Sequence, residues 1–210
     1  KDGQSILNRQ SVCQIQGNLT ELLKAERVAL NFLGYLSGIA TTTHEFAKAC
    51  GGSKTKILDT RKTLPLYREW SKKAVVDGGG KNHRMNLSDK ILVKENHLHL
   101  SGGLENCVAK IRENSSKEIE VEVKNLTEVK EAIQLEVNRI MLDNMSLEDM
   151  KKAVEMTPET IETEASGNMT LERIPEVAAI GVDFISVGAL THSLKTADFS
   201  LLFDWEPDVD

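Results

Sequence analysis

The sequence predicts an α/β fold with a parallel sheet, either doubly wound or a barrel related to the eightfold type. Short apolar runs alternate with amphipathic stretches along most of the chain, the pattern of strands joined by crossover helices. Six such runs occur, and each is followed by polar or glycine residues. In a parallel barrel every strand delivers its C-terminal end to one face, where active sites are built.

Taken in order, the opening stretch KDGQSILNRQSVCQIQG has strand-like alternation and glycine punctuation. Asn18 then starts a long helix as an N-cap, and Glu21 three residues later completes a box-like signature. Leu22, Leu23, Val28, Ala29, Leu30, Leu33 and Leu36 give that helix its apolar surface. Another helix is expected from Thr43 to Cys50, closed by Gly51-Gly52. Strands are expected at Lys56–Asp59, Ile91–Lys94, Ile119–Val123, Ile140–Asp143, Thr160–Glu164 and Phe184–Val187. Between them lie helical stripes: Leu66, Trp70 and Ala74; Val129, Ala132, Ile133 and Val137; and Leu147, Met150 and Val154.

Composition narrows the function classes. Hydrophobic residues make up 40% and charged residues 28%, ordinary for a soluble globular protein. No run approaches the roughly 18 apolar residues of a spanning helix, so no membrane role is expected. The opening residues are polar and hold no apolar signal core, which makes a cytoplasmic protein the expectation. Cys13, Cys50 and Cys107 form no CxxC pair, so they are read as buried, inert thiols and not as zinc ligands or a disulfide framework. A net charge of -6 argues against nucleic acid as a partner, and a local basic patch in such a chain points to a small anionic ligand.

The strand ends carry the chemistry. Arg61, Lys62, His83, Arg84 and Lys94 form a cationic group contributed by the early strands. An arginine fork fits a carboxylate or phosphate with two hydrogen bonds, and several such groups around one pocket would bind a di- or tri-anion. Lys94 ends an apolar run expected to be buried, where an unpaired lysine is costly. Glu122 and Asp143 sit on adjacent expected strands and suit a divalent cation or ribose hydroxyls. Glu120 shares a face with Glu122, so spacing does not choose between them, and a salt bridge to Lys94 is the plain structural alternative. Ser166-Gly167 and the turn from Gly188 to His192 come late and contain glycine, and backbone N–H groups there can hold phosphate. No GxxxxGK[ST] loop, GxGxxG fingerprint or serine-centred elbow occurs. Gly78-Gly79-Gly80 follows no expected strand and reads as a mobile approach to the pocket; His97 and His99 read as structural.

Several of these segments together resemble the quinolinate phosphoribosyltransferase family: AERVALNFLGYLSGIAT (25–41), ILDTRKTLP (57–65), GGGKNHRMNLSDKILVKENH (78–97), IEVEVKN (119–125), IMLDNM (140–145), EASGNM (164–169) and GVDFISVGALTHS (181–193). The resemblance implies an open, incomplete α/β barrel of parallel strands over residues 30–192. Residues 1–29 would be the C-terminal part of an N-terminal α/β sandwich domain whose remainder lies outside this chain, and residues 193–210 would pack back on that domain. It implies transfer of phosphoribosyl from phosphoribosyl pyrophosphate to quinolinate, with Mg²⁺ and decarboxylation, giving nicotinate mononucleotide, pyrophosphate and carbon dioxide for NAD synthesis. Arg61, His83, Arg84 and Lys94 match the family's quinolinate-binding cations, and Lys62 a lysine near the pyrophosphate. Glu122 and Asp143 match carboxylates near the ribose and metal; with Lys94 they are the expected catalytic residues. Ser166, Gly167, Gly188 and His192 match the 5′-phosphate loops. Arg27 matches an arginine that reaches the neighbouring subunit's site, which implies a homodimer as the minimal unit, or a higher oligomer of dimers. Two other readings stand beside this one: a related barrel acting on another anionic ring, and a non-catalytic anion-binding protein.

Overall fold

The computed structural model describes residues 1–203. Its strands are β1 (Lys56–Leu58), β2 (Ile91–Val93), β3 (Ile119–Val123), β4 (Arg139–Asp143), β5 (Glu162–Ser166) and β6 (Phe184–Ser186). All pair in parallel, in the order β1-β6-β5-β4-β3-β2. From β2 onward each strand therefore lies beside its successor, β6 returns to β1, and the ring is broken between β1 and β2. This is the open barrel, and it decides between the two sheet types that periodicity left open. The free edge of β1 is partly covered, because Lys81 N donates to Ile57 O at 2.8 Å and Asp59 N donates to Lys81 O at 3.2 Å.

The helices are α1 (Leu19–Ala49), α2 (Arg68–Asp77), α3 (Glu95–Ser101), α4 (Leu104–Asn114), α5 (Leu126–Gln134), α6 (Leu147–Met156), α7 (Ile174–Ile180) and α8 (Ala189–His192). Asn18 caps α1 as its side chain suggests, accepting from Thr20 N at 2.9 Å. The two helices expected between residues 18 and 50 are one. No proline interrupts residues 37–43, and Gly38, Ile39 and Thr43 are buried on the same continuous face. That helix runs through residue 29 without a break. The opening seventeen residues form no strand: Ile6, Leu7, Val12 and Ile15 are exposed, and among the described residues no strand pairs with them. Alternation without a partner ladder does not make a sheet.

The core lies between the sheet and its helices. Residues facing outward along the strands are aliphatic and fully buried: Ile57, Val93, Val121, Ile140, Leu142, Ala165 and Ile185 all join the same cluster. The alternate positions face the barrel interior by the period of two, and several of them are charged: Lys94, Glu120, Glu122, Arg139, Asp143 and Glu164. Cys50 and Cys107 are buried as expected, whereas Cys13 is exposed.

Helix α2 departs from the expected stripe. Leu66 and Trp70 are exposed; the buried face is Ser71, Lys72, Ala74 and Val75. Lys72 has no exposed surface, and its Nζ pairs with Asp59, equally buried just beyond β1. A periodicity argument that assigns lysine to solvent could not place that face. The glycines after α2 are packing positions: a Cβ on Gly78 would lie 2.3 Å from Ala40 O, and one on Gly80 would lie 2.8 Å from Thr43 Cγ2. Both are buried against α1, so the expected mobile approach is instead a close helix contact. The C-terminal segment also uses glycines of α1. A Cβ on Gly38 would meet Lys195 O at 2.5 Å, and Ala197 N donates to Gly34 O at 3.0 Å. The remainder of the expected C-terminal packing segment, residues 204–210, lies outside the described residues.

Two stability outcomes follow from these contacts. Gly78→Ala is expected to cost about 1–3 kcal/mol by overpacking, read from the midpoint of urea unfolding. Lys72→Met leaves the Asp59 carboxylate buried and unpaired and is expected to cost about 3–5 kcal/mol; adding Asp59→Asn is expected to recover part of that loss.

Candidate active site

The strand C-termini open into one cleft of about 780 Å³. Thr60, Arg61 and Lys62 enter it from beyond β1, His83 and Arg84 from the segment after α2, and Lys94 from beyond β2. Glu122 comes from β3, Asp143 and Asn144 from β4 and its turn, Ser166 and Gly167 from β5, and Gly188 and His192 from the turn after β6. Every site residue expected from the sequence thus meets in this cleft except Arg27. That side chain stands on α1, 76% exposed, with Glu26 at 4.0 Å as its ion pair.

The segment carrying His83 and Arg84 is held by the buried ion pair. Asp59 Oδ1 accepts from His83 N at 2.8 Å, and Lys72 Nζ donates to His83 O at 2.8 Å. Both polar groups of the peptide at residue 83 are therefore tied to the pair. Asn82, its amide oriented by its partners, donates to Asp59 Oδ2 at 2.6 Å and to Lys72 O at 2.9 Å. Burial pushes the Asp59 carboxyl up and the Lys72 ammonium down from their ordinary values, against the mutual attraction that favours both charges. Arg68 adds a further brace, donating to Arg61 O at 3.4 Å and Met85 O at 3.3 Å. Asp59 and Lys72 are the positioning residues that sequence reasoning missed. Asp59 stood in the matched DTRK segment, but nothing in the spacing announced a lysine turned inward.

Arg84 is 8% exposed, and its side chain makes one long contact, to Lys90 O at 3.5 Å. Burial, then the neighbouring Arg61 charge, pull its guanidinium below the ordinary value. Among the described residues neither Arg61 nor Arg84 makes a salt bridge. Two like charges thus share one wall without an anion between them. Lys94 differs from expectation: it is not buried, and it pairs with Glu122 across the β2–β3 gap. The apolar run ends at Val93, and the lysine reaches past it into the mouth. His97 has the structural role expected, its Nδ1 accepting from Lys94 N at 2.9 Å at the start of α3.

On the opposite wall, Asp143 is half-buried and accepts from Asn144 Nδ2 at 3.1 Å. Gly167 has φ 88°, and a Cβ there would lie 2.3 Å from Asn144 Oδ1, so the turn needs glycine for both its conformation and its contact. The Thr191 hydroxyl donates to Lys62 O at 2.7 Å, and Tyr35 on α1 donates to Thr191 O at 3.1 Å. Thr191, seen only as part of a turn, ties the last strand's loop to the first. Glu120 lies deeper than Glu122: it is 1% exposed and faces His83 Nε2 at 3.1 Å, so the two carboxylates that spacing could not distinguish have separate environments.

Comparison with known proteins adds a further line. The quinolinate phosphoribosyl transferase C-terminal domain model matches residues 39–202, and the N-terminal domain model residues 1–37. The chain is 43% identical to the chloroplastic nicotinate-nucleotide pyrophosphorylase (carboxylating) of Arabidopsis thaliana, over 98% of this chain and 64% of that protein. It is 40% identical to the probable enzyme of that name in Bacillus subtilis, over 96% and 70%. Its fold superposes on NadC from Streptococcus pyogenes with a TM-score of 0.91 at 43% identity, covering 95% of this chain and 71% of that one. On the Francisella tularensis nicotinate-nucleotide pyrophosphorylase the TM-score is 0.83 at 46% identity, with 86% and 65% covered. The chain spans about 64% of the length of the Arabidopsis relative, and two tobacco relatives of similar coverage are named mitochondrial, so the named compartments of its relatives differ. Among the described residues no helix is long and apolar enough to cross a membrane. With both domain models matched in order and such identity over nearly its whole length, this chain belongs to the quinolinate phosphoribosyl transferase family.

Proposed function

We propose that the protein transfers phosphoribosyl from phosphoribosyl pyrophosphate to quinolinate with decarboxylation, yielding nicotinate mononucleotide, pyrophosphate and carbon dioxide in NAD synthesis. The observation that carries this reading is the pair Arg61 and Arg84, two cations without a salt-bridge partner among the described residues, on one wall of a cleft whose other wall bears Asp143 and the Gly167 turn. A planar dicarboxylate fits the first wall, and a phosphorylated ribose fits the second.

The two arginines would hold the ring's carboxylates and so aim its nitrogen at the anomeric carbon. As the bond to pyrophosphate breaks, positive charge grows on the ribose beside Asp143 and Glu122, which would steady it while holding the hydroxyls. Lys62 and the backbone N–H groups of the late turns would take the negative charge of the phosphates. Magnesium, for which the oxygen donors of Asp143 and Glu122 are suitable, would supply positive charge to the pyrophosphate as it leaves. Once the ring nitrogen is bonded to ribose it is cationic, so the electron pair left by carbon dioxide is stabilised by the ring itself. That carbon then takes a proton from water, and no organic cofactor is required.

We assign Arg27 to the cleft of a second copy in a homodimer. The same end of α1 exposes Leu23, Val28 and Phe32, an apolar face in keeping with a partner there. A reading as a barrel acting on another anionic ring is separated by substrate: carbon dioxide should be released with quinolinate and not with nicotinate. Pyrophosphate release from neither ring, with magnesium present, would favour a non-catalytic anion-binding protein.

Arg84→Ala is expected to raise the quinolinate Kd by at least about tenfold, the weight of a hydrogen bond to a charged group, with a much smaller change for phosphoribosyl pyrophosphate; calorimetric titration of each ligand decides, and equal losses sink the assignment. Mixing Arg27→Ala subunits with Lys94→Ala subunits should restore part of the activity that each lacks alone, because a hybrid dimer rebuilds one intact cleft. No recovery in verified hybrids would overturn the crossing arginine.

A further inference from the structure

Below the cleft, the His83 ring meets Glu120 from β3 and Glu164 from β5 inside the barrel, and Arg139 from β4 joins them through Glu164. Glu164 has no exposed surface and Glu120 is 1% exposed. His83 Nε2 lies 3.1 Å from Glu120 Oε1 and 3.6 Å from Glu164 Oε2. Arg139 Nη1 donates to Glu164 Oε2 at 3.0 Å, while its Nη2 pairs with the half-exposed Glu162 at 2.6 Å and its guanidinium stacks 4.0 Å from the Phe184 ring centre. Ser186 adjoins Glu164 from β6. Two oxygens in this cluster, Glu120 Oε2 and Glu164 Oε1, are buried with no partner among the described residues.

The charges do not balance unless one more proton is present. Two buried carboxylates face a single guanidinium that is already shared with Glu162, and like charges at this depth are not both kept. Three groups could carry the proton. His83 Nδ1 accepts the backbone N–H of Arg84 at 2.8 Å, so that nitrogen is bare; the ring's one proton sits on Nε2 and the imidazole is neutral. Glu120 Oε1 accepts from that Nε2–H, a hydrogen bond that favours the ionised form of this carboxyl. Glu164 Oε1 is left. A hydrogen there would turn one of the two orphaned acceptors into a donor.

We propose that Glu164 is a neutral carboxylic acid in the folded protein, and that it acts with Glu120 as a positioning pair that holds His83 as the neutral Nε2–H tautomer, whose Nδ1 fixes the backbone of Arg84. Burial and the adjacent Glu120 charge push the Glu164 carboxyl up to about 7, in keeping with that placement. One atom each from His83, Glu120 and Glu164 lies within 4.8 Å of the others, as for a metal site. The Arg139 guanidinium already stands on Glu164 there, and a proton balances the cluster without adding a divalent charge beside it. His83 then brings no positive charge to the cleft and serves the anion through Arg84. The protonation state stands on the cluster alone; the consequence for ligand rests on the quinolinate reading.

The sign of the pH effect is fixed. The folded state keeps a proton that the unfolded chain releases near the ordinary glutamate value of 4.5, so the stability linked to Glu164 falls as pH rises from 4.5 to about 7. In the full-length protein, the melting temperature of Glu164→Gln minus that of the wild type should increase across this range; parallel curves would overturn the neutral acid. Infrared spectra of wild-type protein labelled with ¹³C-glutamate should contain a protonated-carboxyl stretch at pH 6 that is absent from Glu164→Gln. If that variant does not fold, the wild-type band and its loss at higher pH decide alone, and absence of the band overturns the proposal. Stabilisation of the wild type, but not of Glu164→Gln, by added Mg²⁺, Mn²⁺ or Zn²⁺ would replace the proton with a metal and overturn it as well. Glu120→Gln should raise the quinolinate Kd about tenfold, the weight of one hydrogen bond to a charged group, with the phosphoribosyl pyrophosphate Kd unchanged; equal change in both would reduce the pair to a structural element and overturn the positioning role. A wild type that binds no quinolinate, yet retains the carboxyl band, would count against the proposed function and leave the neutral acid standing.

Discussion

The buried pair of Lys72 and Asp59 holds the peptide of His83 by both its polar groups, and the working wall of the cleft hangs from that peptide. An ion pair out of contact with water gains little net stability, because desolvation offsets the attraction. Its value here is geometric. Asp59 directly follows the first strand and Lys72 belongs to the helix that comes next, so the pair joins the first β–α unit to the segment that crosses the open side of the barrel. A hydrophobic pair of similar volume would pack there as well, but it would leave a buried N–H and C=O at residue 83 unpaired. Those groups would each cost about 1–3 kcal/mol, and the segment would have no reason to choose this path.

The break between β1 and β2 has its explanation in the same place. A closed barrel of this kind fills its interior with layers of side chains from its own strands. Here residues 81–84 occupy the gap, Lys81 bonding along β1 while His83 points inward onto Glu120. The interior then holds two polar levels: the cluster around Glu164 below, and Lys94, Glu122 and Asp143 above. Outward-facing aliphatic residues alone build the core with the helices. Opening the ring therefore does two things at once. It admits a loop that supplies cations to the cleft, and it relieves the strands of packing the interior by themselves.

Much of this was legible in the sequence. All six strands were expected within two residues of where they lie, because short apolar or alternating runs bounded by polar and glycine residues read as strands. The convergence of Arg61, Lys62, His83, Arg84, Lys94, Glu122 and Asp143 on one cleft also followed from topology, since strand ends share a face. What escaped were features that depend on a partner distant in sequence. Lys72 breaks the apolar stripe of its helix because Asp59 waits beneath it. Residues 1–17 alternate like a strand and, among the described residues, pair with no strand. The single helix α1 passes through Thr41-Thr42-Thr43, whose branched side chains argue weakly against helix, because its buried face continues through Ile39, Thr43 and Phe46. Glu164 lay at the end of an expected strand, but nothing in a one-dimensional pattern reveals that its neighbours supply one positive charge for two negative ones.

Under the proposed function, the pairing of Lys94 with Glu122 bears on how the cleft would take a dicarboxylate and a phosphorylated ribose. The lysine has a carboxylate for company, whereas among the described residues Arg61 and Arg84 have none. An arriving dianion would meet the arginines without displacing anything, and the cost of holding two like charges side by side would be relieved by the first carboxylate to bind. Lys94 presents the opposite case: for it to turn to a ring carboxylate, Glu122 must lose its partner. That loss is smallest when Glu122 gains a new electropositive neighbour, such as the ribose as its bond to pyrophosphate lengthens. The exchange of partners would thus favour the state in which both substrates are bound and charge has begun to develop on the sugar. Binding energy from the dicarboxylate would in this way be realised most fully near the transition state, where it contributes to rate and not merely to affinity.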